Sequence, residues 1–224
     1  MNCVEYSINP KEVQSQVSFD TPREEINVAL ERAFLVSVAL PDGRFLLAEA
    51  VADGARQADA NATALAVDNI TESHWAALDG ADAIVFGTPT YMGNVSAGFQ
   101  TFAEATSGRC VQGSWRDKVA AGFTNSGAKS GDKLHALTSL AVLAAQHHMH
   151  WVNLGLGPGW SSTTGSEDDL NRLGFFLGAG AQTDTDVGAD RMHDSDVRTC
   201  RQLGGRVAGV TAQLLAGRLV TSRR

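Results

Sequence analysis

Cysteine, basic residues and long apolar stretches are all scarce in this chain of 224 residues. The three cysteines are scattered and form no CxxC pair, so a disulfide framework is not expected. Lysine and arginine number 18 against 25 acidic residues, for a formal charge of −7, and no long basic run precedes the terminal SRR. Because a nucleic-acid groove must neutralise phosphates, the chain is expected to have no nucleic-acid partner.

Signals for a membrane or an export route are missing as well. No apolar run approaches the roughly 18 residues that a membrane-spanning helix needs. The opening segment, MNCVEYSINPKEVQ, has neither the basic end nor the apolar block of a signal peptide. These absences predict a cytoplasmic protein with no membrane partner.

What the chain does contain is a regular alternation of strand-like and helix-like segments, with 43% hydrophobic residues to form a core. The predicted strands are AFLVSVAL (33–40), ATALAV (62–67), DAIVFGT (82–88), the start of DKVAAGFTNSG (117–127) and HWVNLGL (150–156). The predicted helices lie at 44–58, 71–80, 96–108, 131–148 and 195–218. Because each strand is almost continuously apolar, these elements predict a doubly wound α/β fold. Its parallel sheet would be covered by helices on both faces, and its ligands would bind at the carboxyl ends of the strands.

The boundaries of this domain follow from the same pattern. We expect the domain to span residues 34–217, after an atypical extension over 1–33 and before a short tail over 218–224. Residues 155–188 are too many for a plain connection, and loops of this length are usually functional or flexible.

Two loops rich in glycine and hydroxyl groups follow the third and fourth predicted strands. The first is TPTYMGN (88–94) and the second is TNSGAKSG (124–131). Small and hydroxylated residues let backbone N–H groups approach a flat, hydrogen-bonding ligand, while Tyr91 and Met92 offer an apolar face for a ring. We expect the two loops to meet at one edge of the sheet.

The segments ADAIVFGTPTYMGNVSAGFQTF, KVAAGFTNSGAKSGD and AAQHHM resemble the flavodoxin-like NAD(P)H:quinone oxidoreductases of the WrbA type and the related NADPH-dependent FMN reductases, over about Gly43 to Gly217. The resemblance implies a five-stranded sheet of order 2-1-3-4-5 and a domain that binds FMN. It further implies that two electrons pass from NADH or NADPH to a quinone or similar acceptor, and that the protein is a homo-oligomer, either a dimer or a tetramer.

The same resemblance assigns roles to individual residues. It places the flavin against Pro89, Thr90, Tyr91, Met92, Gly93 and Asn94 on one side and against Thr124, Asn125, Ser126 and Gly127 on the other. It makes His147 a catalytic residue near the flavin, commonly supplied by a neighbouring subunit, and it leaves Gly43 and Arg44 to hold the phosphate.

The loop after the first strand departs from the family pattern. Flavodoxin-like proteins cradle the phosphate there with Ser, Thr and Gly, whereas this chain has ALPDGRF, in which Asp42 repels a phosphate and Arg44 can offset that repulsion. Weakened or lost FMN binding is therefore one hypothesis. A flavodoxin-type electron carrier and a cofactor-free interaction protein on the same fold remain alternatives.

Simpler interpretations also exist for several motifs. Asn94 could cap the helix after the first loop, and Ser130 could cap the helix after the second. His147, His148 and His150 do not place three rings on one helix face, so no metal site is expected. Trp160 could cover the flavin or pack in the core, and the acidic run at 167–169 is typical of a solvated helix start.

Overall fold

The computed structural model describes residues 34–39 as backbone, together with residues 45–188 and 191–222. The predicted extension over residues 1–33 and the two phosphate-loop residues Gly43 and Arg44 lie outside these ranges. In chain order the elements are β1 Phe34–Ala39, α1 Phe45–Gln57, β2 Asn61–Ala66, α2 Glu72–Gly80, β3 Ala83–Tyr91, β4 Asn94–Val95, α3 Ala97–Ala105, α4 Ser107–Gln112, β5 Val119–Ser126, α5 Lys133–Gln146, β6 His150–Trp151, β7 Ala179–Gln182 and α6 Asp194–Ser222.

The predicted α/β architecture is confirmed. The strands form one sheet in the order β2-β1-β3-β5, all parallel, and a short strand, β4, pairs antiparallel with the end of β3. Alternate residues of β3 face opposite sides, so Ala83 and Val85 join one apolar cluster with α1 and α6, while Ile84 and Phe86 join another with α2, α3 and α5. This double burial explains why β3 is apolar at almost every position.

The prediction of a single fifth strand over residues 150–156 was wrong. Two short strands share the place beside β5: β6 pairs with its start at Val119 and Ala120, and β7 pairs with its end from Phe123 to Ser126. Residues 152–178 leave the sheet between them, and β7 then brings a distant part of the chain to the carboxyl end of β5. The position of β7 was not evident because AGAQ is short and carries no strong strand formers.

Local sequence signals fix several of the helix ends. Thr71 caps α2 through a capping box with His74, at the start of the helix that the sequence predicted over 71–80. Ser96 caps α3, because its hydroxyl accepts from the backbone N–H of Phe99 at 3.2 Å. Of the helices in the described ranges, none is both long and apolar enough to cross a bilayer.

Candidate functional site

The first loop is a tight β-hairpin that continues β3 beyond the core. Thr90 pairs with Val95, and Tyr91 pairs with Asn94. Met92 at the tip has φ of 48° and is fully exposed. Since Gly93 beside it also has a positive φ of 76°, the turn has the backbone of a type I′ hairpin. The alternative in which Asn94 caps the next helix was therefore wrong.

Two threonines join the hairpin to the second loop. Thr90 Oγ1 lies 2.7 Å from Thr124 Oγ1 in a buried hydrogen bond. Pro89 is in register with Asn125 on the neighbouring strand. The two loops therefore lie side by side at the carboxyl edge of the sheet, as the sequence predicted.

α5 holds the hairpin from the other side through a residue that the sequence analysis missed. His135 Nδ1 donates to the carbonyl oxygen of Gly93 at 2.8 Å, and Ser139 Oγ donates to Asn94 Oδ1 at 3.4 Å. A usable signal did exist, because a helix that begins at a ligand-binding edge presents its first turn there, and His135 lies in that turn.

Side chains hold three consecutive carbonyl groups of the second loop. Gln182 Nε2 donates to Gly127 O at 3.0 Å. The Lys133 ammonium donates to Ala128 O and, at 3.1 Å, to Lys129 O. The loop residues Ala128, Lys129 and Ser130 are themselves exposed, whereas Lys133 is completely buried beneath them.

Lys133 is an unusual component of this site because it is a buried cation. Burial lowers its pKa to about 8, against the opposing influence of the Asp196 carboxylate, and the nearby Arg172 lowers the pKa further. Ser130 does not cap α5 with its hydroxyl, as the sequence had suggested; instead its carbonyl accepts from the Lys133 N–H at 3.1 Å. The helix begins after Asp132, whose side chain makes no capping hydrogen bond.

The long segment between β6 and β7 folds back towards the second loop. The ammonium of Lys129 lies 5.2 Å from the ring centroid of Trp160, within cation–π range. Trp160 keeps 44% of its surface exposed, so its ring is available at the edge of the site. Thr183, just after β7, accepts a hydrogen bond from Asn125 Nδ2 at 3.3 Å and so borders the second loop as well.

His147 lies at the opposite end of the molecule. α5 begins beside the second loop and ends, 14 residues or about 21 Å later, at the amino end of the sheet, where His147 follows it. The ring is 1% exposed; its Nε2 lies 2.8 Å from Thr106 Oγ1, and its centroid lies 4.4 Å from that of Trp115. Within the described chain this covered ring joins α5 to the turn between α3 and α4 and touches neither of the two loops, so a catalytic role of His147 at a neighbouring subunit's flavin stays a prediction. The exposed histidine at this turn is His148.

The burial of His147 predicts a dependence of stability on pH. Burial lowers the pKa of His147, with a further contribution from His148, and Nδ1 has no hydrogen-bond partner among the described residues. Below pH ~6.5 the unfolded chain therefore binds a proton here more readily than the folded chain, which costs up to ~1.4 kcal/mol per pH unit. We expect His147→Gln to lose less unfolding free energy than the wild type between about pH 7.5 and 5.5, measured by urea denaturation. An equal loss in both proteins would contradict this assignment.

A serine, a histidine and an aspartate near the start of α6 resemble a hydrolase triad but cannot act as one. His193 Nδ1 lies 2.9 Å from Ser195 Oγ, and His193 Nε2 lies 3.7 Å from Asp168 Oδ1. However, Ser195 is completely buried and its hydroxyl donates to the carbonyl of Glu167 at 2.9 Å. No substrate can reach that oxygen, so this cluster is structural.

The geometry of the two loops fits one side of a flat cofactor such as the FMN ring. The carbonyl groups at 127–129 are held by other side chains, while residues 128–130 are exposed, so few free acceptors face this surface. The phosphate side of such a cofactor would meet residues 40–44, which lie outside the described ranges.

Comparison with known proteins identifies the family. The sequence model of the NADPH-dependent FMN reductase family matches residues 45–156. The chain is 41% identical, over 173 residues, to flavodoxin FldP of Pseudomonas aeruginosa (strain UCBPP-PA14), an alignment that covers 76% of this chain and 91% of that protein.

Solved structures agree with this result. A flavodoxin, WrbA-like protein from Agrobacterium tumefaciens superposes with a TM-score of 0.63 at 40% identity, covering 81% of this chain and 98% of that one. A flavodoxin from the domain Archaea shares only 16% identity and a TM-score of 0.55 over 80% of this chain and 98% of its own, which supports the fold alone. From its sequence and its flavodoxin-like fold, the chain belongs to the NADPH-dependent FMN reductase family of FMN-binding oxidoreductases.

Proposed function

We propose that this protein is an FMN-dependent oxidoreductase that passes two electrons from NADH or NADPH to a quinone or similar small acceptor. The observation that carries the proposal is the direct joining of the two loops by the Thr90–Thr124 hydrogen bond at the carboxyl ends of β3 and β5. This edge is where doubly wound folds bind their ligands. The predicted dimer or tetramer stays a prediction.

The bound FMN would supply the redox chemistry, since the protein's own side chains do not carry electrons of this kind. The first loop would form one wall of the cofactor site and the second loop the other. His135 and the two joined threonines hold these walls at a fixed separation by hydrogen bonds, two of which are 2.7–2.8 Å long. A site held in this way binds its ligand without reordering the chain, which preserves affinity.

Exposed rings at the same edge favour planar donors and acceptors. Tyr91 is 55% exposed on the hairpin, and Trp160 is 44% exposed beside the second loop. A nicotinamide and a quinone are both flat, so they could use one face of the site in turn. Burial of their rings against these aromatic side chains would exclude water during the transfer.

A spectrum of the purified protein tests the proposal. The protein is incubated with FMN, desalted under conditions that remove free flavin, and then treated with NADPH or NADH in the absence of oxygen. We expect the desalted protein to retain the yellow flavin absorbance, to lose it on addition of the nicotinamide and to regain it on addition of a quinone. A colourless protein after desalting, combined with no heat of binding in calorimetry, would favour the cofactor-free interaction protein.

An electron carrier is the second candidate, because the relative from Pseudomonas aeruginosa is named a flavodoxin. A carrier depends on a separate reductase, whereas a reductase accepts electrons from the nicotinamide by itself. If the bound flavin keeps its colour with NADPH and NADH alone but loses it when a ferredoxin reductase is added, the carrier function replaces the proposed one.

A further inference from the structure

We propose that Lys133 and Gln182 are positioning residues that orient three consecutive peptide groups of the second loop, so that the N–H groups of Ala128, Lys129 and Ser130 face the ligand. This inference rests on the proposed function and specifies how the chain would recognise the pyrimidine edge of a flavin. Neither residue stood out in the sequence.

The direction of the N–H groups follows from the planarity of the peptide bond. In a trans peptide the C=O and the following N–H point in opposite directions, and the described residues contain no cis peptide. The carbonyls of Ala128 and Lys129 both point to the buried ammonium of Lys133, and that of Gly127 points to Gln182. The next N–H in each of these three peptide groups must therefore point outward.

The three outward N–H groups are available to a ligand. Within the described ranges, the amides of Ala128, Lys129 and Ser130 donate no hydrogen bond to another part of the chain. Successive N–H groups of this kind form a concave patch of positive partial charge that binds oxygen atoms and anions. The carbonyl and ring nitrogen at the pyrimidine edge of a flavin, which becomes more negative on reduction, match this surface.

The burial of Lys133 has no other evident purpose in the structure. No carboxylate of the described residues forms a salt bridge with its ammonium; Asp196 on α6 acts from a greater distance and is engaged by Arg172. A buried cation without an ion pair is costly, so its two carbonyl partners must compensate for the lost hydration. Those partners are the carbonyls whose orientation matters for the site.

Lys118 provides a matched control because it makes the same type of contact at the other end of β5. Its ammonium donates to the carbonyls of Leu78, Asp79 and Ala81 at 3.1, 2.5 and 2.6 Å, around the carboxyl end of α2. Burial lowers the pKa of Lys118, as it does that of Lys133. Lys118→Met therefore reports the cost of losing a partly buried lysine far from the two loops.

The experiment compares Lys133→Met with Lys118→Met in the full-length protein. Dissociation constants for FMN and riboflavin are measured by flavin fluorescence, and melting temperatures are measured without flavin. We expect Lys133→Met to weaken both flavins by the same factor of about ten, the equivalent of one or two lost hydrogen bonds. Lys118→Met should lower the melting temperature and leave both constants unchanged. Riboflavin has no phosphate, so an equal factor for the two ligands locates the effect at the ring.

A second readout separates positioning from simple support. Outward N–H groups favour the reduced ring, so the midpoint potential of bound FMN should become more negative in Lys133→Met and stay unchanged in Lys118→Met. Gln182→Met, which removes the donor to Gly127, should change the flavin affinity and the midpoint potential in the same direction as Lys133→Met. This second variant tests the inference if Lys133→Met does not fold.

Failure of this inference and failure of the proposed function would give different results. Wild-type affinity and potential in both site variants would overturn this inference and leave the proposed function intact. A wild type that binds neither flavin would overturn both.

Discussion

Asp196→Ala should remove about 3–5 kcal/mol of unfolding free energy, because it leaves a buried arginine without its counterion. Asp196 Oδ1 and Oδ2 accept from Nε and Nη2 of Arg172, each at 2.8 Å, and the backbone N–H of Gln182 also donates to Oδ2 at 2.9 Å. The two side chains are 1% and 3% exposed, so water cannot replace the lost carboxylate. Urea denaturation of the flavin-free protein measures the loss.

The same helix turn contains a control for this prediction. Arg198 Nε donates to Asp194 Oδ2 at 2.6 Å, but this pair is largely exposed, with 42% and 79% of the two side chains accessible. Exposed pairs of this type contribute roughly 0.3–0.5 kcal/mol, so Asp194→Ala should change stability by no more than that. Equal losses of unfolding free energy in Asp196→Ala and Asp194→Ala would show that burial does not set the strength of the Asp196 contact.

Gly204→Ala should destabilise the protein by about 2–3 kcal/mol, although alanine is the better helix former. Gly204 lies where α6 crosses α1, and a Cβ built there would stand 1.9 Å from the carbonyl oxygen of Val51. The contact is reciprocal, since a Cβ on Gly54 of α1 would stand 1.8 Å from the carbonyl oxygen of Arg201. Backbone atoms meet at both points, so the helices would have to move apart and weaken the apolar cluster between them. A loss of this size should lower the melting temperature by roughly 4–12 °C.

Gly209→Ala, in the same helix, should have the opposite effect. A Cβ at Gly209 would meet nothing within 4 Å, so only the gain in helix propensity remains, about 0.5–1 kcal/mol. Thermal denaturation of the two variants should therefore show shifts of opposite sign. A destabilised Gly209→Ala, or a neutral Gly204→Ala, would mean that the helix crossing does not depend on the glycine.

These two predictions concern the same part of the molecule as the candidate site. Asp196 begins the chain of contacts that runs through Arg172 and Gln182 to the carbonyl of Gly127. The α1–α6 crossing fixes the helix on which Asp196 lies. The stability of α6 is therefore linked to the shape of the second loop, even though α6 contributes no residue to the loops themselves.

The elements of the fold were largely predictable because their signals are local. An apolar run with strand-forming residues marks β3 and β5, and a Thr71 cap marks the start of α2. The two loops of the site could also be predicted, since parallel strands bring their carboxyl ends to one edge. The hairpin within the first loop was missed because Met92, at a positive φ, is an uncommon residue for such a turn.

Two other features depend on contacts between distant parts of the chain. Packing against Trp115 places His147 in the core at the far end of α5, so its assignment to the cofactor by resemblance stays a prediction. The division of the fifth strand depends on β7, which arrives after a long irregular segment. Neither outcome leaves a pattern of spacing that a reader of the sequence could recognise.

The amino-acid sequence by itself determined the order of strands and helices, the parallel sheet and the two loops at its edge, because hydrophobic periodicity, caps and turn residues act over a few positions. Only the tertiary structure decided which side chains orient those loops. These residues are separated by 10 to 63 positions in the sequence: Lys133, Arg172, Gln182 and Asp196. Gln182 links Arg172 to the second loop, and the burial of the three charged residues comes from packing of the whole domain. The free energy of a buried charge depends on the groups that surround it in the folded chain. The role of such a residue therefore cannot be assigned before the fold is known.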